Sequence, residues 1–259
     1  MAHTQVTLVQ IDNYGPWTVT PHPRREADLQ SLQSRLYADL SELFGVHGGY
    51  VFFTRFDNMI GITNGIDRDT HRRIQESIRN RYPVTISFSI ATRSRPDQAL
   101  NEASTQLQAA GSAQDETRTE ILRGETLSDT KRRPNDVQVA HFDVDNATEE
   151  YTDDTGAFEA FRRINRGYVA LLDYMYEQHN SLSFFIGGDN ILSITPELEA
   201  ETYRSAVTHV QTTADIQLKV GVGWGQTAHE AGMIAKEALE ECREAGTQIE
   251  VGDQVRGEG

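Results

Sequence analysis

Asp12, Asp57, Asp143 and Asp189 stand where the chain could hold a cation. Asp12 ends the run TLVQID, Asp57 sits in FTRFDN, Asp143 ends VQVAHFD and Asp189 sits in FIGGDN. Two carboxylates brought within a few Å repel and raise one another's pKa unless a cation lies between them. One or two carboxylates, a carbonyl and waters form the hard oxygen site that Mg2+ accepts when it also carries substrate phosphates. Asp-Asn and Gly-Gly-Asp-Asn are also ordinary turn residues, because both types tolerate left-handed backbone. Recurrence of the pair at matching points of the chain favours the chemical reading.

The stretch DNYGPWTVTPHPRREADL after Asp12 places Asn13, Tyr14 and Gly15 in a loop leading to a helix, where backbone N–H groups can face a phosphate. Arg24 and Arg25, just before that helix, are well placed for an anion held there. Trp17 can stack on a purine or pack on the core. Asn58 and Asn190 follow the turn aspartates as supporting polar groups. Lys219 precedes VGVGWG, whose glycines permit close approach of a ligand or backbone; this run follows no first strand and is not a dinucleotide motif. The eight histidines, His3, His71, His141 and His229 among them, show no metal spacing. The single cysteine, Cys242, reads as a small buried side chain and supports neither a disulfide nor a cysteine zinc cage. Any metal here is expected to be bound by oxygen.

The elements that must position these residues occur twice. Asp12 to Asp143 is a shift of 131, Asp57 to Asp189 is 132, and Gly111 to Gly246 is 135. Each half reads strand, helix, hairpin, helix, strand, helix. Leu29, Leu32, Leu36, Tyr37, Leu40 and Leu43 form an amphipathic stripe that ends at Gly45, and Phe158, Phe161, Ile164, Tyr168, Leu171, Leu172 and Met175 form its counterpart. The apolar runs flanking Thr54 to Asn58 and Gly187 to Asn190 predict hairpins. This is the ferredoxin-like βαββαβ plan: an α+β fold of tandem palm-type modules with antiparallel sheets, spanning 1–133 and 134–259. Gly111 to Pro134 reads as the linker region and the end, VRGEG, as a poorly ordered tail. With strands one and three paired at mid-sheet, Asp12 should lie beside Asp57 and Asp143 beside Asp189.

Net charge −15 repels nucleic acid phosphates. Lys131, Lys219 and Lys236 are the only lysines in a surface rich in Asp and Glu, the balance of a protein kept soluble in concentrated salt. No apolar stretch reaches the roughly 20 residues of a membrane span, and MAHTQVTLVQ lacks a signal segment. A cytoplasmic protein is expected, without nucleic acid or membrane partners, and exposed sheet edges suggest a homo-oligomer.

The strings QIDNYGPWTVTPHPRREADLQ, LQSRLY, FTRFDN, ITNGID, NRYP, GSAQD and FIGGDN together resemble the archaeal GTP cyclohydrolase III family nearly end to end. GGDN and FDVDN separately resemble GGDEF-type nucleotide cyclases and the polymerase palm. The resemblance implies Mg2+-dependent opening of the GTP imidazole ring with loss of two orthophosphates, giving a formylaminopyrimidine ribose monophosphate that feeds riboflavin and deazaflavin synthesis. It implies catalytic roles for Asp12, Asp57 and Asp189, and metal binding by these with Asp143. Substrate contacts then fall to Asn13, Tyr14, Gly15, Arg24, Arg25, Asn58 and Lys219. Palm cyclases carry an acid where this chain has Asn58 and Asn190, so a second metal in their manner requires ligands from both halves. A nucleotidyl cyclase releasing pyrophosphate and a non-catalytic GTP sensor would use the same carboxylates.

Overall fold

The computed structural model describes residues 2–55, 57–115, 118, 120–128, 133, 136–144 and 156–252. The expected module start at Pro134, residues 145–155 and the VRGEG tail lie outside the described residues. The chain forms two compact units, one of His3–Ser94 with Gln98–Arg132, the other of Arg133–Gly259 with Met1–Ala2 and Arg95–Asp97.

The first unit runs β1 (Thr4–Ile11), α1 (Tyr14–Val19), α2 (Glu26–Gly45), β2 (Tyr50–Phe53), β3 (Asn58–Ile62), α3 (Arg68–Arg81), β4 (Ile86–Arg93), α4 (Pro96–Gln108) and β5 (Leu122–Gly124). The second runs β6 (Val137–Val144), α5 (Ala157–His179), β7 (Leu182–Gly187), β8 (Asn190–Thr195), α6 (Ala200–Ala214), β9 (Leu218–Gly225), α7 (Ala228–Ala245) and β10 (Ile249–Val251). Strand orders are β2-β3-β1-β4-β5 and β10-β9-β6-β8-β7. The expected α+β plan is present twice, with the first strand of each unit between two antiparallel neighbours.

Each sheet also gains a short parallel edge strand, β5 on β4 and β10 on β9. The stretch read as linker therefore contributes a strand to the first sheet. A further short helix, α1, occupies the loop after β1.

Alternation along β1 sorts the chemistry. Val9 and Ile11 point into a core built from Leu36, Leu40 and Phe44 of α2, Ile74 and Ile78 of α3, and Phe88 of β4. Fully burying a side chain such as Phe44 contributes about 2 kcal/mol. Gln10 and Asp12 take the opposite face. In the second unit Phe142, Leu218, Val220 and Val222 pack with Leu171 and Met175 of α5 and Tyr203 and Val207 of α6. On the other face of β9, the glycines of VGVGWG meet α7. A Cβ on Gly221 would lie 2.1 Å from the Ala235 carbonyl oxygen, and one on Gly223 2.4 Å from that of Ala231. The close approach those glycines serve is helix backbone.

Helix starts follow local chemistry. The Asp67 carboxylate accepts the Thr70 N–H at 2.7 Å to open α3, and Thr227 caps α7 through the Glu230 N–H. One expectation fails in α5. Ile164, Leu171 and Met175 are buried, but Phe158 and Phe161 face outward at 74% and 55% exposure.

The repeat extends to buried polar groups. Gln5 donates to the Thr63 and Ile66 carbonyls, while Gln138 donates to the Leu198 carbonyl and accepts from Thr195 and Leu198. His71 on α3 bonds Thr7, which bonds Thr63; Tyr203, 132 residues after His71, bonds Thr195. Among the described residues no helix is long and apolar enough to cross a membrane.

Candidate functional site

Asp12 lies just past the end of β1, and its N–H donates to the Thr85 carbonyl. Its carboxylate is almost wholly buried and accepts Ser87 Oγ at 2.6 Å and Thr85 Oγ1 at 2.9 Å. Arg118, only 4% exposed, sets its Nε 3.2 Å from Asp12 Oδ1, an ion pair off the angle of a hydrogen bond. Burial raises the Asp12 carboxyl above its usual range, against the opposing pull of Ser87, Thr85 and Arg118.

The chain beside Asp12 is Asp57, whose carbonyl accepts the Ile11 N–H at 3.0 Å. The backbone thus brings the two aspartates to the same strand end. Their carboxylates take different partners: Asp57 Oδ2 accepts from Arg55 at 2.6 Å, while Oδ1 is buried without a hydrogen bond among the described residues. Asn13 adopts left-handed backbone, φ 54°, to turn the chain into α1, and its Oδ1 is likewise buried without a donor among the described residues. A buried acceptor with no donor among the described residues leaves a lone pair open to a water or an ion. Among the described residues no three His, Cys, Asp or Glu side chains group as a metal cage.

Tyr14 stacks on Trp17 with ring centroids 6.1 Å apart and accepts the Gln33 amide at its hydroxyl. Burial, with the charges of Glu26 and Asp57, raises its pKa. Arg24 places its guanidinium 4.0 Å from the Trp17 ring centroid. Arg25 forms a two-point pair with Asp28 at the surface, and the Gly15 N–H donates to Gln114. Asn58 Oδ1 accepts from Gln10. Beside Trp17 opens a cleft of about 760 Å³ between α1, the outer side of α2 and the end of α3, lined by Arg24, Arg35, Arg81 and Tyr82 among others. Asp39 at its wall accepts from Arg81 and from Tyr82, whose hydroxyl is pushed up to about 12 by burial and by that carboxylate. Composition and spacing did not reveal this cleft, since its residues are dispersed over three elements.

In the second unit Asp143 lies opposite Asn190 on β8 and Lys219 on β9. Its Oδ2 pairs with Arg243 of α7 at 2.8 Å, which raises the arginine's pKa. The Asp189 carbonyl accepts the Val144 N–H, and its side chain accepts from Asn190. His141, lowered in pKa chiefly by burial, bonds Asn190. Arg118 and Arg243 were not singled out from the sequence; lone arginines in a charged stretch and on a terminal helix carry no local signal. Cys242 is buried, as expected, and its thiol donates to the Val220 carbonyl.

Residues 6–254 match the family model described as GTP cyclohydrolase III. A protein of Natronomonas pharaonis named GTP cyclohydrolase III is 59% identical over 250 residues, covering 96% of this chain and 99% of its own length. One of Halobacterium salinarum named GTP cyclohydrolase III 1 is 60% identical, covering 96% and 98%. Among solved structures, the GGDEF domain of DgcB from Caulobacter crescentus aligns with 44% of this chain and 77% of its own, at TM-score 0.36 and 14% identity.

Proposed function

The chain belongs to the GTP cyclohydrolase III family, and from that premise we propose that it opens the imidazole ring of GTP and removes two orthophosphates in a Mg2+-dependent reaction. The product is 2-amino-5-formylamino-6-(5-phosphoribosylamino)pyrimidin-4(3H)-one, a precursor for riboflavin and deazaflavin synthesis made in the cytoplasm. One water adds across the C8–N9 bond, leaving the formyl group on N7, and two more cleave the β- and γ-phosphates.

The observation that carries this reading is the oxygen-only set at the end of β1: buried Asp12 with the undonated Oδ1 atoms of Asp57 and Asn13. These residues would hold Mg2+, and substrate phosphates and waters would complete its shell. When bound, the ion neutralises triphosphate charge and acidifies water. Thr85 and Ser87 orient the Asp12 carboxylate, and Arg118 balances its charge. The cleft beside Trp17 suits a nucleotide: aromatic faces for the base, and Arg24 and Arg35 for the phosphates. Tyr14 stacks on Trp17 at the cleft, and Gly15, Arg25 and Asn58 are further substrate contacts in this reading. Asp143, Asp189 and Lys219 form the corresponding point of the second unit, and because the cleft beside Trp17 is built on the first unit, we assign the reaction to the first.

The test incubates the protein with GTP and Mg2+ in high salt without zinc. Loss of the purine spectrum with two orthophosphates per GTP is expected. An intact purine with pyrophosphate released would mean a nucleotidyl cyclase, and Mg2+-dependent binding without product a GTP sensor; either result sinks the proposal. Binding of Mg2+ is read separately as a rise in Tm that Asp12→Asn abolishes.

A further inference from the structure

Arg118 is a buried cation whose best donors are unused. Its side chain is 4% exposed. Nη1 donates to the Gly111 carbonyl at 3.1 Å, but neither Nε nor Nη2 has a hydrogen-bond acceptor among the described residues. Nε and Nη2 are the two parallel donors of the guanidinium fork, spaced to meet two oxygens of one carboxylate or one phosphate. Asp12 does not fill that fork. Its Oδ1 lies 3.2 Å from Nε at an angle that makes no hydrogen bond, while Ser87 and Thr85 donate to the two carboxylate oxygens. Buried donors left unmet are costly, so the pair suits an acceptor that arrives from outside the protein.

The backbone fixes where that acceptor meets the chain. The Ala113 carbonyl accepts the Asn13 N–H at 2.6 Å, and the Gln114 side chain accepts the Gly15 N–H at 2.9 Å. The Arg118 N–H turns back onto the Asp115 carbonyl. Farther along, the Ile121 N–H donates to Ser87 Oγ, the same hydroxyl that donates to Asp12. Arg118 thus lies between two anchored points, against the end of β1. A guanidinium 3.2 Å from Asp12 Oδ1 and a divalent ion on the same carboxylate repel each other, in surroundings that screen less than water. A phosphate relieves that conflict, because it accepts from the fork and draws the guanidinium's charge to itself.

Resting on the reading of Asp12 as a Mg2+ ligand, we propose that Arg118 opposes Mg2+ when the ion binds alone and gives its Nε–Nη2 fork to a phosphate of the nucleotide when the two bind together. The arginine therefore couples the two ligands. Each binds more tightly with the other present, and by the same factor.

The test titrates the whole chain by calorimetry in concentrated salt, first with MgCl2 alone. At saturating Mg2+ it is then titrated with 7-deazaguanosine 5′-(β,γ-imido)triphosphate, which resists ring opening and loss of the γ-phosphate. Arg118→Gln should bind Mg2+ alone at least tenfold more tightly than wild type, and the nucleotide at least tenfold more weakly. The opposite signs separate this role from a structural one, since damage to the fold weakens both. Arg118→Lys keeps a cation beside Asp12 without the fork, so it should bind Mg2+ near the wild-type affinity and the nucleotide at least tenfold more weakly; this variant decides the matter if Arg118→Gln does not fold. Unchanged or weaker Mg2+ binding in Arg118→Gln, or wild-type nucleotide affinity in Arg118→Lys, would overturn the proposal. Mg2+ binding that survives Asp12→Asn would instead remove the premise about Asp12, and the proposal with it.

Discussion

Asp12 and Asp143 end the first strand of their respective units, and the neighbouring strand treats them differently. Asp12 faces Thr85 and Ser87 of the first unit, which donate to it. In the second unit Lys219 and Gly221 take those two places, by the strand registers Gln10 to Ser87 and His141 to Gly221. The glycine lets α7 press on the sheet, and α7 delivers Arg243 to Asp143. Both carboxylates meet an arginine, Arg118 in the first unit and Arg243 in the second, but the first adds two hydroxyl donors where the second packs a helix against a glycine. A duplicated fold can thus keep its core while the surroundings of a matching carboxylate change from hydroxyl donors to a packed helix.

The largest effect that should separate the two is catalytic. Asp12→Asn and Asp57→Asn should each lower GTP turnover about a thousandfold or more, with circular dichroism unchanged, while Asp189→Asn leaves turnover near wild type. Equal losses from Asp57→Asn and Asp189→Asn in steady-state assays would erase the distinction. Next comes packing. Gly221→Ser installs in the second unit the residue found at Ser87, yet its Cβ would sit 2.1 Å from the Ala235 carbonyl. Urea unfolding should show a loss of about 3 kcal/mol.

A comparable effect concerns pH. His71 Nδ1 contacts the Asp67 carbonyl, which can only accept, so Nδ1 carries the proton and Nε2 accepts from Thr7. Burial lowers this histidine from 6.5 to about 4. The unfolded chain then binds the extra proton between those values. The stability contribution is complete above pH 6.5 and is lost as pH falls toward 4, by on the order of 3 kcal/mol. Tyr203, at the matching helix position, does not titrate in this range. Each unit holds one tryptophan, Trp17 in the first and Trp224 in the second. A Trp224→Phe variant should report acid loss of the first unit, and Trp17→Phe a weaker pH dependence of the second. The smallest effect is local: Ser87→Ala removes a donor to a buried carboxylate and should cost about 2 kcal/mol by denaturant unfolding, less with Mg2+ present.

Much of this was legible in the chain. The two hairpins, the long helices and the pairing of first and third strands follow from apolar periodicity, which local backbone geometry enforces. The edge strands β5 and β10 were missed because three residues carry too little alternation to stand out. Phe158 and Phe161 fit a helical stripe by spacing, but among the described residues nothing packs over the start of α5 to bury them. The cleft beside Trp17 joins Arg24, which its place before a helix marks as an anion contact, to Arg35 and Arg81, each unremarkable in its own segment.

By itself, then, the sequence determined the duplication and the α+β plan, since these depend on residue type and short-range period. Only the tertiary structure decided what each aspartate touches. Arg118 reaches Asp12 across 106 residues and Arg243 reaches Asp143 across 100, and such pairings are chosen by how helices and loops settle on the sheet. The same is true of the glycines in β9: their spacing announced a close approach, and packing settled that the approaching group is a helix.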